Sequence, residues 1–116
     1  MPQKQSETPS LSKYMRTVEK RNGERVVYTF GVGTEEAARM ADAIREYAKK
    51  SRYVYTEEER LAMPEESVQV YVLDHDCIVV ASRAYIGSVG ERVREEAREI
   101  AEYAYALLKD FKLLRV

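Results

Sequence analysis

Cysteine, histidine and tryptophan are scarce: the 116 residues hold one Cys, one His and no Trp. A lone cysteine excludes an internal disulfide framework. Cys77 and His75 together fall short of the ligand set of a usual zinc site. Any Ser-His-Asp or Cys-His arrangement must use His75. No apolar run approaches the roughly 20 residues of a membrane span. Met1 to Ser12 is polar, with Pro2 and Pro9 and no apolar segment of the kind a secretory signal carries. The chain therefore reads as cytoplasmic, with Cys77 a reduced thiol and no metal or other cofactor. Amides are also few, with one Asn and 3 Gln beside 9 Tyr and abundant Arg and Glu, a bias shared by thermophilic proteins and by designed sequences.

An excess of either charge is missing too. Lys and Arg total 19 and Asp and Glu 20, a formal net charge of -1. That balance argues against a wholly basic nucleic-acid binder and against a disordered acidic tail. The total hides a polarity. Residues 1–33 carry six basic and three acidic side chains, whereas residues 34–66 carry six basic and nine acidic.

What is present reads as one α+β domain, residues 13–116, behind a flexible tail, residues 1–12. Tyr14 to Val32 has the pattern of a hairpin. Asn22-Gly23 is a preferred two-residue turn, which sets Val18 opposite Val27 and gathers Met15, Thr17, Val26, Tyr28 and Phe30 on one face. A helix follows from Thr34, an expected N-cap, to about Lys50, with Ala37, Ala41, Ile44 and Ala48 on its apolar stripe. Arg52 to Thr56 is aromatic and β-branched and predicts a short edge strand. Val68 to Leu73 and Ile78 to Ala84 predict a second hairpin around Asp74-His75-Asp76. Both faces of that hairpin are apolar, so its strands are expected to be central and covered on both sides, in part by a second subunit. Gly87-Ser88-Val89-Gly90 opens the longest helix, to about Lys109, whose stripe runs from Val93 through Ala97, Ile100, Ala101, Ala104, Leu107 and Leu108 to Phe111. The expected architecture is a five-stranded, mainly antiparallel sheet in the order ββαβββα with two main helices. A faint echo relates Gly31–Ala48 to Gly87–Ala104.

The chemistry-bearing residues are few. Asp74-His75-Asp76-Cys77 is the only cluster with ligand-type atoms. Asp favours turns because its side chain bonds the local backbone, so the cluster reads as a turn that leads into a buried strand. The two glycine corners, Gly31-Val32-Gly33 and Gly87 to Gly90, precede helices but carry no Walker or dinucleotide pattern. Met40, Ile44, Tyr47, Tyr53 and Tyr55 are candidate interface residues, since Met and aromatics are enriched where partners meet. The basic first hairpin offers Lys13, Arg16, Lys20, Arg21 and Arg25 to nucleic acid, with Tyr14 and Tyr28 nearby for stacking.

The order of elements resembles the roadblock and longin group of small domains. Val70-Tyr71-Val72-Leu73-Asp74-His75-Asp76-Cys77-Ile78-Val79-Val80-Ala81 looks like that group's final hairpin. Tyr85 to Ala97 resembles the approach to the last roadblock helix. The chain departs from roadblock proteins in having no clear first helix. The resemblance implies a non-catalytic homodimeric interaction module, roadblock-like, placed beside a small GTPase or another protein. Nucleic acid through the first hairpin is the alternative partner, and no membrane is expected.

Overall fold

The computed structural model describes residues 9–20, 23–51, 67–85 and 87–115. They form α1 (Pro9–Ser12), β1 (Met15–Lys20), β2 (Gly23–Gly31), α2 (Thr34–Ala48), β3 (Ser67–Leu73), β4 (Cys77–Tyr85) and α3 (Ser88–Asp110). The fold is α+β, with two long helices and an antiparallel sheet, as the residue pattern predicts. Among the described residues the sheet has four strands in the order β1-β2-β4-β3. The fifth strand expected at Arg52 to Thr56 lies outside the described residues.

Each hairpin is built by local chemistry, and the two meet along β2 and β4. The β2–β4 ladder runs antiparallel from Gly23 opposite Tyr85 to Gly31 opposite Cys77. Side-chain alternation then divides the sheet into two faces. Val26, Tyr28 and Phe30 of β2 and Ile78, Val80 and Ala84 of β4 join the core beneath the helices. Helix α2 meets this face with Ala37, Met40, Ala41, Ile44 and Ala48. Helix α3 meets it with Val93, Ala97, Ile100, Ala101, Ala104 and Leu108. Burying a side chain such as Phe30, Ile44 or Leu108 contributes about 2 kcal/mol each.

Several expectations need correction. Lys20 stands opposite Gly23, so Val18 faces Arg25 and not Val27. Gly23 is thus a ladder residue, and residues 21–22 lie outside the described residues. The shift is two positions, which preserves the faces, because side-chain period in a strand is two. Gly33, not Thr34, is the N-cap of α2: its φ of -76° and ψ of 154° are extended, and its carbonyl accepts from the N–H of Glu36 and of Ala37. Within the expected tail, Pro9–Ser12 forms one helical turn and sets Leu11 into the core. Phe111, expected on the buried stripe, is 57% exposed. It is the C-cap residue of α3, where the chain turns back.

That reversal is a complete Schellman motif. The Leu113 N–H donates to the Leu108 carbonyl at 2.9 Å, and the Lys112 N–H to the Lys109 carbonyl at 3.0 Å. Lys112 takes the left-handed conformation, φ 58°, where glycine is usual. The tail then returns to the sheet, and the Arg115 N–H donates to the Gly31 carbonyl at 2.9 Å.

Val79 and Ala81 point away from the helices, yet they are only 1% and 3% exposed within the single chain. β4 is therefore covered on both faces, as its two apolar faces predict.

Candidate functional site

The Asp74-His75-Asp76-Cys77 cluster is a tight turn, as its composition predicts. Asp74 and His75 have φ of 55° and 69°, and the Asp76 N–H donates to the Leu73 carbonyl at 3.3 Å. Two successive positive φ values match the right-handed twist of a hairpin. The Asp76 carbonyl accepts from the Val32 N–H at 2.8 Å, which ties the turn to the end of β2. The Arg115 guanidinium adds a 3.2 Å ion pair to the Asp76 carboxylate and also donates to the Val32 carbonyl. The Cys77 thiol is pushed up from its ordinary pKa, first by burial and then by its hydrogen bond to Asp76 and that carboxylate's charge. Arg115 pulls the other way, more weakly than these. A thiol held protonated is a poor nucleophile and a poor metal ligand. Among the described residues, no group of three His, Cys, Asp or Glu side chains is placed to hold a metal ion.

The residues proposed for an interface are scattered by the fold. Met40 and Ile44 are buried under the sheet, at 4% and 0% exposure, so their side chains are occupied within the chain. Tyr47 is half-buried and stacks on Tyr103, with ring centroids 3.9 Å apart and planes 2° from parallel. The Lys50 ammonium lies 3.9 Å from the Tyr47 ring centroid. A recess of about 240 Å³ beside this stack is lined by Lys50, Ser51, Glu96 and Glu99. Tyr53 and Tyr55 lie outside the described residues.

The basic residues of the first hairpin are better gathered. Arg16 and Arg25 share the sheet face turned from the helices, one on each strand of the hairpin. Arg83 of β4 joins them, directly opposite Arg25. Local sequence could not reveal Arg83, because only the long-range β2–β4 pairing brings it there. Lys13 is exposed in the turn before β1. Lys20 ends β1, and Arg21 lies outside the described residues. The proposed stacking rings are elsewhere. Tyr28 is buried in the core, and Tyr14 packs between Phe30 and Tyr105, at 5.1 and 5.8 Å.

β1 is the least covered strand. On the helix side, Met15, 43% exposed, Thr17, Val26 and Tyr28 floor a groove of about 390 Å³ walled by Arg94 and Arg98 of α3. On the other side Val18 is 40% exposed. Among the described residues, the outer edge of β1 pairs with no strand. No helix among the described residues is long and apolar enough to cross a membrane. The chain matches no protein-family model, no curated protein and no solved structure.

Proposed function

We propose that this protein is a non-catalytic interaction module that pairs with a second copy of itself through β1. One observation carries the reading: β1 is an edge strand with large apolar side chains exposed on both faces, Met15 on one and Val18 on the other. An uncovered edge offers unpaired backbone donors and acceptors, and another strand satisfies them. A twofold mate added antiparallel at β1 continues the sheet and keeps both pairs of helices on one side. The adjoining groove, with its apolar floor, then meets side chains of the mate.

The resemblance to roadblock and longin domains supports the same kind of role, since it implies a dimerising platform. A small GTPase partner follows from that resemblance alone. The raised pKa of Cys77 supports the non-catalytic part of the reading.

Size-exclusion chromatography with light scattering tests the proposal. The chain is expected to run as a dimer at high micromolar concentration. Met15→Lys and Val18→Lys are expected to shift it to monomer, because lysine on an exposed edge discourages strand pairing. A strict monomer at that concentration overturns the reading.

A further inference from the structure

Most guanidinium groups on the helices are paired: Arg39 with Glu36, Arg45 with Asp42, and Arg98 with Glu102, while Arg92 of α3 has no ion pair among the described residues. On the sheet face turned from the helices, Arg16, Arg25 and Arg83 have neither a hydrogen bond nor an ion pair among the described residues. The strand register leaves no acidic residue on that face among the described side chains. Glu24 points to the helix side, where it meets Arg94 at 3.6 Å. Arg25 and Arg83 occupy directly opposed ladder positions, with α-carbons about 5 Å apart. Like charges so placed repel each other. Arg16 lies one strand over and two residues along, beside Val27.

We propose that Arg16, Arg25 and Arg83 form a phosphate-binding patch that holds the backbone of a nucleic-acid duplex. Guanidinium groups with no internal carboxylate keep their full donor sets for phosphate oxygens. A second copy of the chain is a poor occupant, because a twofold contact would press one cationic patch on another. A single strand is a poorer occupant than a duplex. Single strands are held by aromatic platforms for their bases, and here Tyr14 and Tyr28 are turned into the core. The exposed guanidinium charge reads phosphates without reading sequence. The patch borders the β1 edge: Arg16 is a β1 residue, and Val18 lies opposite Arg25 on the same face.

The test is fluorescence anisotropy with a labelled 20-base-pair DNA duplex and the matching single strand, across a salt series. Three phosphate contacts predict a slope of log K against log salt of roughly -2.7. Affinity then falls about fortyfold between 50 and 200 mM salt. Arg83→Gln is expected to flatten the slope to roughly -1.8, and Arg16→Gln to do the same. Arg39→Gln removes the same net charge from a helix and is expected to leave the slope unchanged. Scrambling the duplex sequence is expected to change nothing. Four outcomes overturn the proposal: no duplex binding at 50 mM salt, tighter binding of the single strand, an equal effect of Arg39→Gln, or binding of phosphatidylserine vesicles without duplex binding. Circular dichroism of each variant keeps a folding defect from passing as a binding defect, and Arg16→Gln supplies the second reading should Arg83→Gln fail to fold.

Discussion

Arg25 and Arg83 face each other across the β2–β4 ladder at the centre of the sheet, with no carboxylate beside them on that face among the described residues. Opposed like charges on neighbouring strands destabilise a sheet, and opposed unlike charges contribute about 0.2–1 kcal/mol. Arg83→Glu is therefore expected to raise the thermal midpoint, while it abolishes the binding of duplex DNA. Thermal melting and anisotropy on the same sample check the two opposite effects.

Among the described residues, Asp74, His75 and Lys112 hold left-handed backbone without glycine. Lys112 closes the Schellman motif at φ 58°, and His75 sits in the hairpin turn at φ 69°. Left-handed conformation costs a non-glycine residue about 1–2 kcal/mol. Lys112→Gly and His75→Gly are each expected to stabilise the fold by about 0.5–1 kcal/mol, less than that strain because glycine also loosens the unfolded chain. Urea denaturation should show a higher midpoint at unchanged slope.

Gly87 behaves in the opposite way. Its φ of 134° and ψ of 179° at the N-cap of α3 belong to a region open to glycine alone. Open space surrounds its missing side chain, so the penalty is conformational and not steric. Gly87→Ala is expected to cost about 1–3 kcal/mol. Gly33, the N-cap of α2, has ordinary extended backbone and equally open space. Gly33→Asp is expected to stabilise by a few tenths of a kcal/mol, roughly the difference between a side-chain cap and glycine. The two melts should move in opposite directions.

The Cys77 thiol should alkylate slowly at neutral pH. Burial, the Asp76 hydrogen bond and the Asp76 charge all favour the protonated form. The fold holds that proton more tightly than the unfolded chain does. The resulting stability is present at neutral pH and is lost as pH rises through the raised thiol pKa. Asp76→Asn is expected to shift the iodoacetamide pH–rate profile to lower pH, and Arg115→Ala to shift it to higher pH. Profiles that coincide with wild type would show that neither side chain acts on the thiol.

The local elements were legible because their signals are local. Alternation marked both hairpins, the Ala and Ile stripe marked α2, and Asp74 to Asp76 marked the second turn. The register of the first hairpin was less legible, because Asn22-Gly23 is a strong turn pair, yet Gly23 is paired with Lys20 in the ladder. Met40 and Ile44 show why an apolar residue on a helix stripe cannot be assigned from periodicity. The same spacing serves a core and an interface, and only the position of the sheet decides between them. Arg83 shows the larger gap. It is 58 positions from Arg25 in the chain, and no window of sequence contains both. The pairing of the two hairpins through β2 and β4 is a tertiary choice made by burial.

That choice divides the molecule into two ββα halves, the first ending in α2 and the second in α3, joined along a seam of nine ladder pairs together with the packing of α2 on β3 and α3. The seam is noncovalent along its length. The two halves belong to one chain, so the seam forms as an intramolecular contact. In those terms the domain is an intramolecular complex. A substitution at the seam, as at Arg25, Val27, Ala81 or Arg83, acts on it as an interface mutation acts on a heterodimer.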